Sequence, residues 1–517
     1  MKKLFYILAI SSVAVSSGFA QYEDTGKRGL YYSKKTYTDS GIPLYSENKS
    51  RLPVPVMEQN KEWIDIYWKA WELAFNHYKK PPAGSPFVSN FIDEAFSFSV
   101  FQWDTIFMIM FARYADHIFP AIQSLDNFYC RQYESGYICR EIQEPDGADY
   151  VYLDRMHTVN PPLFGWAEIE NFMLTGDKSR FAAVLPVLEK YTQWLEKYRV
   201  KAGTKHGLYW QTGLGSGMDN TPRKGSAWTD MSAQMVLMYN NMNFIAGAIG
   251  NNQKAAEFKN KAKKIADKIN KLMWNEADGL YYDLDDDGNQ IRCKTAACFW
   301  PLLAGIASGR QAERMLANLK DPKTFWRTIP FPSLAADHPD FKPGGDYWLG
   351  SVWAPTNVMI IKGLTQYSNI KGFSDFATEA VSKYLEGMYQ VYKETGTLWE
   401  NYSSETYSRG SQSKPDFVGW TGCGPIELLI ENILGFAPDR LHNKIKWTIS
   451  RTDRHGIENL TFGDNNISAV CAARKDNSSP AEITVDCKKP FTLEISTSFN
   501  KSKKFNIKTG QHTITVN

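Results

Sequence analysis

The chain has 517 residues, of which 43% are hydrophobic, so wholesale disorder is excluded and a large buried core is expected. Lys and Arg number 59 against 56 Asp and Glu, and the formal charge of +3 gives no reason to expect nucleic acid or an anionic membrane as a partner. The chain also contains 16 Trp and 27 Tyr. Most of these rings belong in a helical core, and others can stack on sugar faces while their N–H and O–H groups bond hydroxyls.

The first 20 residues have the pattern of a secretory signal peptide. Lys2 and Lys3 precede an apolar run, and a small-x-small cleavage signal ends at Ala20. We therefore expect removal of residues 1–20 and export of a soluble protein to the periplasm or the medium. No other apolar run is long enough to predict a membrane span.

The mature chain divides into three parts by pattern. After a polar, Tyr-rich lead-in at residues 21–60, residues 61–437 alternate helical segments such as WIDIYWKAWELAFNHY with loops rich in Gly, Pro, Asn and Trp. From 438 to 517, alternating runs such as FTLEIS and HTITVN predict a small β-domain. The sequence thus predicts a mainly α fold of helical hairpins closed into an (α/α) toroid. A solenoid is the alternative, although no fixed-period repeat supports it.

Two loops carry acids in settings suited to catalysis. Asp219 lies in GLGSGMDNTPR, where glycines and a proline constrain the backbone and the neighbouring amide and guanidinium can bind oxygen. Glu400 lies in TLWENYSSETY, between a tryptophan and an Asn-Tyr pair. Glycoside hydrolysis needs one protonated carboxyl group and one ionised carboxylate across the scissile bond. For either acid alone, a loop cap or a surface charge is the alternative reading.

The loop GSGMDNTPR resembles the E-x-G-[MW]-D-N-[ST]-P-R loop of glycoside hydrolase family 63, which shares a clan with the trehalases of family 37. The resemblance implies that Asp219 is the general acid. Similarly, WENY matches the family's E-[NQK]-Y segment and implies that Glu400 is the general base. Together these similarities imply an exo-acting, inverting hydrolase of α-glucosides, of the bacterial exported kind, on an (α/α)6 barrel.

Five further segments follow in family order, so that the resemblance spans residues 90–436: FQWDTIF, SGYICREI, VNPPLFGWA, GGDYWLGSVWAPTNVMIIKGL and DFVGWTGCGPIELLIENILG. The resemblance implies substrate-binding roles for a set drawn from these segments and from the Asp219 loop: Trp103, Asp104, Arg140, Glu141, Asn160, Gly217, Asn220, Arg223, Tyr347, Trp348, Trp353 and Trp420. Two positions depart from the family pattern. Leu349 replaces an arginine, and Gly215 stands where relatives have a glutamate, so both bear on substrate choice.

No catalytic metal or other cofactor is predicted, because the eight histidines are scattered and the seven cysteines have no metal-binding spacing. Asp283, Asp285 and Asp287 imitate the start of an EF-hand loop, but the twelfth position is Lys294 instead of Glu. A charged Asp-Gly hairpin turn is favoured there, and a structural calcium site is the alternative.

The predicted partner is an oligosaccharide or glycoside, and three other functions remain open. A sugar epimerase or isomerase on the same toroid would need a histidine pair for proton transfer at carbon. A lyase or unsaturated-uronide hydrolase would favour basic residues around an acidic sugar. A glycan-binding protein without catalysis would not need both acids. The sugar, its linkage and the oligomeric state do not follow from the sequence.

Overall fold

The structure, a computed structural model, describes residues 27–31, 34–94, 97–150, 159–498 and 501–516. The predicted signal peptide lies outside these ranges. Within them the prediction of a mainly helical protein with a C-terminal β-domain is confirmed. The helices of ten or more residues are Trp63–Asn76, Gln102–Ala112, Phe164–Thr175, Phe181–Tyr198, Thr229–Ala248, Asn252–Leu272, Gly309–Lys320, Ala354–Gln366, Phe373–Thr395 and the π-helix Gly424–Ile433. Shorter helices cover Tyr45–Asn48, Ser124–Tyr129, Gly213–Ser216 and Trp300–Leu303.

The helices are of two kinds, which differ in how much of their surface is apolar. All residues of Gln102–Ala112 are buried, as expected for a helix that is surrounded by protein. In contrast, Asn252–Leu272 buries only Phe258, Ala262 and Ile269, which lie along one stripe, and presents its lysines to solvent. The sequence KNKAKKIADKINK is therefore the solvated face of an outer helix.

Six helical segments contact one another in a closed order. Gln102–Ala112 touches Phe164–Thr175, and the series continues through Thr229–Ala248, Trp300–Leu303, Ala354–Gln366 and Gly424–Ile433 back to Gln102–Ala112. Helices that lie between them in the sequence pack along this set, as Asn252–Leu272 does on Thr229–Ala248. Buried and half-exposed helices therefore alternate along the chain.

The C-terminal β-domain consists of two sheets. Alternate residues are buried along strands such as Ala481–Cys487 and Phe491–Ser498, so one face of each sheet points into the protein and the other points outward. The first sheet has the order Val54–Met57, His455–Phe462, Asn465–Cys471, Ala481–Cys487, Gly510–Val516, and the second has the order Phe436–Asp439, Lys444–Thr448, Phe491–Ser498, Lys501–Ile507. The lead-in is thus not separate from this domain, because its strand Val54–Met57 pairs antiparallel with His455–Phe462.

The β-domain is joined to the helical part by buried contacts. Trp447 is fully buried, stacks on Phe436 with ring centroids 4.5 Å apart, and donates its indole N–H to the carbonyl of Leu434 at 2.8 Å. Leu434 directly follows the π-helix. The helix Phe164–Thr175 contacts strands of both sheets. The domain therefore packs on the helical part and is not a separate appendage.

Two further features bear on the sequence predictions. All seven cysteines are free thiols, so neither Cys130 with Cys139 nor Cys293 with Cys298 forms a disulfide in this structure. None of the described helices combines the length and the apolar character needed to cross a membrane.

Candidate active site

A cavity of about 130 Å³ lies where the loops at one end of the helical part converge. Its walls include most of the predicted site residues: Trp103, Asp104, Arg140, Asn160, Gly217, Asp219, Tyr347, Trp348, Glu400 and Trp420. Phe101 and Leu214 complete the lining. The sequence analysis missed these two, although each lies within two or three residues of a predicted one.

Helix starts position several of these side chains. Trp103 and Asp104 occupy the first turn of Gln102–Ala112, and Asn160 shortly precedes Phe164–Thr175. Trp420 directly precedes the turn that leads into the π-helix. Side chains at the starts of neighbouring helices meet at one end of the bundle, which explains how segments far apart in the sequence share one cavity.

The loop that carries Asp219 is built around a short helical turn, Gly213–Ser216. Thr212 caps this turn by accepting the backbone N–H of Gly215 at 2.9 Å. Gly217 ends it with a φ of +77°, and a Cβ there would lie 3.0 Å from the indole ring of Trp103. Only glycine combines this backbone conformation with such a close approach. The turn therefore places Asp219 beside the tryptophan wall.

Asp219 reaches the cavity with its carboxyl group free. Part of the side chain is exposed, and no described residue donates a hydrogen bond to its carboxyl oxygens. Crowding by the surrounding protein raises the pKa of Asp219 to about 6, against the opposing effect of the Arg140 guanidinium. A carboxyl group of this kind can hold a proton near neutral pH and give it to a ligand.

Glu400 is held more tightly than Asp219 and is only 2% exposed. Its Oε2 accepts the backbone N–H of Lys414 at 3.2 Å, and its backbone carbonyl accepts the indole N–H of Trp420 at 2.9 Å. Burial raises the pKa of Glu400 to about 7, with the negative charge of Asp219 adding to this and Lys414 and Tyr347 opposing it. The two acids therefore interact across the same cavity.

The pKa order of the free site is the reverse of what the assigned roles require. The expected base, Glu400, is the weaker acid at about 7, and the expected donor, Asp219, is the stronger at about 6. Burial raises both pKa values, and the ordinary pKa of a glutamate is already higher than that of an aspartate.

The remaining charged groups extend this cluster. Burial and the negative charge of Glu400 raise the pKa of Asp104, and the Arg140 guanidinium opposes this. Arg140 also pairs with Glu141, with 3.2 Å between Nη2 and Oε1. Glu141 itself does not line the cavity. Its contact with substrate stays a prediction, and in the structure its carboxylate pairs with Arg140.

Three buried polar atoms at the cavity residues have no hydrogen-bond partner in the part of the chain that the structure describes: the indole Nε1 of Trp103, the guanidinium Nη1 of Arg140 and the amide Oδ1 of Asn160. A buried polar atom is normally paired, and leaving one unpaired is costly. These atoms present two donors and one acceptor, a combination that suits the hydroxyl groups of a sugar.

Aromatic rings form the other wall. Trp348 lines the cavity, whereas Trp353 lies behind it in a parallel stack, with ring centroids 4.0 Å apart and an interplanar angle of 7°. Trp353 also donates its indole N–H to the carbonyl of Tyr347 at 3.2 Å. Trp353 therefore supports the wall and does not itself form it, in contrast to its predicted role.

Arg223 also lies away from the cavity, against the prediction that it binds substrate. Its guanidinium pairs with Asp230, with Nη1 to Oδ2 at 2.6 Å, and with Asp283, with Nη2 to Oδ1 at 2.8 Å. All three side chains are buried. Two bidentate pairs occupy the donors of Arg223, so it anchors the Asp219 loop to the strand Asp283–Leu284.

The same contact bears on the predicted calcium alternative. Asp283 accepts hydrogen bonds from Arg223 and from the backbone N–H of Thr229 at 2.8 Å. Asp285 accepts the backbone N–H groups of Asp287 and Asn289 within a turn. The segment is an antiparallel hairpin with Asp283–Leu284 paired to Gln290–Ile291. These carboxylates are bonded to protein groups and do not converge on one point.

Asn220 is the last predicted residue that does not line the cavity. Its side-chain amide donates to the carbonyl of Asp346 at 2.9 Å and accepts the backbone N–H of Trp348 at 2.8 Å. Both ends of the amide are thus bound to a neighbouring loop.

A model of the family described as mannosylglycerate hydrolase MGH1-like glycoside hydrolase domain matches residues 101–421. An uncharacterized protein of Borreliella burgdorferi is 27% identical over 474 residues, which cover 90% of this chain and 98% of the relative. A protein of Schizosaccharomyces pombe named probable mannosyl-oligosaccharide glucosidase is 24% identical over 243 residues, or 44% of this chain and 30% of that protein. The crystal structure of a GH63 mannosylglycerate hydrolase from Thermus thermophilus in complex with glucose has a similar fold. It superposes with a TM-score of 0.57 at 19% identity and covers 69% of this chain and 98% of that chain.

Proposed function

The chain belongs to the MGH1-like glycoside hydrolases of family 63, and we propose that it is an exo-acting, inverting enzyme that cleaves an α-glycosidic bond. The substrate that we propose first is an α-glucoside. One observation carries this proposal. Asp219 and Glu400 lie far apart in the sequence, yet both carboxyl groups line one small cavity walled by tryptophans and unpaired polar atoms. We further propose that the six helices in closed contact are the inner ring of an (α/α)6 barrel.

The proposed reaction assigns one proton transfer to each acid. Asp219 donates its proton to the glycosidic oxygen, and the bond from that oxygen to the anomeric carbon breaks. A water on the opposite face attacks the carbon, and Glu400 takes the proton that this water loses. The product is a free sugar of inverted configuration. The two carboxyl groups must then be roughly 6.5–9.5 Å apart, since retention requires about 5–5.5 Å.

Other cavity residues bind the sugar in this proposal. Trp103 and Arg140 donate to ring hydroxyls, Asn160 accepts from one, and Asp104 accepts from others. Trp348 supplies an apolar face. The small size of the cavity, compared with the roughly 300–1,000 Å³ of typical ligand clefts, supports removal of one terminal sugar at a time.

Two similar proteins support the choice of an α-glucoside as the substrate. The fission-yeast relative is named as a glucosidase, and the T. thermophilus structure contains glucose. The latter protein is named as a mannosylglycerate hydrolase, so α-mannosides form the second arm of the test. No histidine is present among the described residues that line the cavity, so no observation favours an epimerase.

The proposal is tested with α- and β-glucosides, α-mannosides and α-glucosyl disaccharides, followed by proton NMR of the product before mutarotation. We expect hydrolysis of an α-glycoside with the β-anomer formed first. Release of the α-anomer, or cleavage within a long chain, would contradict the inverting or the exo assignment, respectively. Asp219→Asn and Glu400→Gln are expected to abolish most turnover and to keep the melting temperature.

Export is a separate proposal that depends on residues 1–20. N-terminal sequencing of the protein recovered from the producing bacterium is expected to start at Gln21. A protein that starts at Met1 in the cytoplasm would contradict it.

A further inference from the structure

Asn220 makes contacts that a sugar-binding residue would not make. It directly follows Asp219, and its exposed amide group bonds the neighbouring loop at both ends, donating to the carbonyl of Asp346 and accepting the N–H of Trp348. These bonds, at 2.9 and 2.8 Å, have ordinary lengths for N–H···O. The side-chain nitrogen and oxygen are thus both directed at protein backbone.

The loop that receives these bonds has an unusual backbone. Asp346 has a φ of +33° and Tyr347 a φ of +69°, although neither is glycine. Such conformations are sparsely populated and persist where surrounding contacts impose them. Asn220 bonds the residues on either side of Tyr347. Gln412 also bonds this loop, but its side chain donates to the Asp346 side chain at 3.1 Å and not to a backbone atom.

The constrained residues face the reaction site. Tyr347 and Trp348 both line the cavity. The Tyr347 side chain faces the Glu400 carboxyl group and acts to lower its pKa, whereas the Asp219 charge acts to raise it. The loop held by Asn220 thus carries the group that favours the ionised form of the expected base.

We propose that Asn220 is a positioning residue that ties the loop of the general acid to the loop beside the general base. One side chain would then set both the orientation of Asp219 and the place of Tyr347 relative to Glu400. This inference rests on the proposed function for its catalytic consequence. Its structural half, the two bonds that hold the backbone on either side of Tyr347, is independent of that function.

The structural half is tested by hydrogen exchange of the whole protein without any ligand. In Asn220→Ala, the Trp348 amide loses its acceptor, and we expect it to exchange about tenfold faster or more. Asn220→Asp keeps an acceptor and is expected to exchange at an intermediate rate. The matched control is Gln412→Ala, which removes one bond to the same loop but none to its backbone, and we expect wild-type exchange at Trp348.

The catalytic half is tested by kinetics on the substrate that the wild type hydrolyses. A shift of reacting groups by about 1 Å can cost 10²-fold, so we expect kcat of Asn220→Ala to fall about 10- to 100-fold with KM within about threefold. The limb of the pH profile near about pH 7, to which Glu400 contributes most, is expected to move up by about half a pH unit, because Tyr347 no longer stabilises the ionised Glu400. Tyr347→Phe should move the same limb, and the double variant should move it no further.

Each outcome decides a part of the inference. Wild-type exchange at Trp348 in Asn220→Ala overturns the structural half, whether or not the protein is a glycosidase. Faster exchange with unchanged kcat overturns the coupling. A rise in KM alone would make Asn220 a substrate contact, and a shift of the limb near about pH 6 alone would mean that it acts only on Asp219. If the wild type hydrolyses no glycoside, the proposed function fails while the exchange result still stands.

Discussion

Replacing Asp219 with Asn removes two things at once: a proton donor and a negative charge that faces Glu400. The pKa of Asp219 is about 6 and that of Glu400 is about 7. Because the reaction needs one group protonated and the other ionised, we expect the wild-type kcat/KM to follow a bell with limbs near these values and a maximum near about pH 6.5. The pair titrates as a unit, so the limbs belong to both groups together.

The structure also sets how much of the free enzyme is ready to react. Because Glu400 is the weaker acid of the two, only the smaller part of the singly protonated free enzyme carries its proton on Asp219, as the assigned roles require. In Asp219→Asn, hydrolysis of a substrate with a poor leaving group is expected to fall by about 10²- to 10⁴-fold, the usual contribution of a general acid.

The decisive assay uses α-glucosyl fluoride, whose fluoride leaves without being protonated. On this substrate Asp219→Asn is expected to retain most of its activity and to lose the descending limb of the profile. The single limb that remains is an ascending one that reports the ionisation of Glu400, and it is expected to lie below about pH 7 because the charge that raised the pKa of Glu400 is gone. Asp337→Asn, which removes an acid paired with Lys294 outside the cavity, serves as the control and should match the wild type.

Two results would refute this reasoning. If Asp219→Asn keeps both limbs on the fluoride, another group is the proton donor. If its remaining limb lies at about pH 7, Asp219 and Glu400 do not share one electrostatic environment.

Three further predictions concern stability and ligands. Arg223→Met leaves the two buried carboxylates of Asp230 and Asp283 without their partner, so chemical denaturation is expected to show a free energy of unfolding lower by about 3–5 kcal/mol. The control is Arg292→Met, which removes an exposed pair, and an equal loss there would contradict this reason. Gly217→Ala forces a φ of +77° on alanine and brings a methyl group to 3.0 Å from Trp103. We therefore expect the free energy of unfolding to fall by about 1–2 kcal/mol and kcat to fall as well. If neither changes, the turn tolerates a side chain. Calcium or EDTA is expected to leave the melting temperature unchanged, because Arg223 already occupies Asp283, and a clear rise with calcium would restore the EF-hand-like reading.

The helices and strands could be predicted because their signals are local. Apolar residues at helical spacing identify Trp63–Asn76 and Phe373–Thr395, and alternation identifies Ala481–Cys487. The two acids were identified because short segments around them resemble those of a known family, since the residues of either loop alone left a cap or a surface charge as the alternative. The strand Val54–Met57 was missed because its partner begins almost 400 residues later in the sequence.

What only the tertiary structure decided is the partner of each polar side chain. From the sequence, Arg223 and Asn220 are two donors beside Asp219, equally suited to a sugar. In the fold, Arg223 meets Asp283 60 residues away, and Asn220 meets Trp348 128 residues away. A donor bonds whatever acceptor the packed chain brings to it, and burial raises the pKa of both carboxyl groups. The sequence by itself therefore determined the element types and the candidate acids, whereas long-range packing determined which residues face the cavity and how far the pKa values of the two acids are raised.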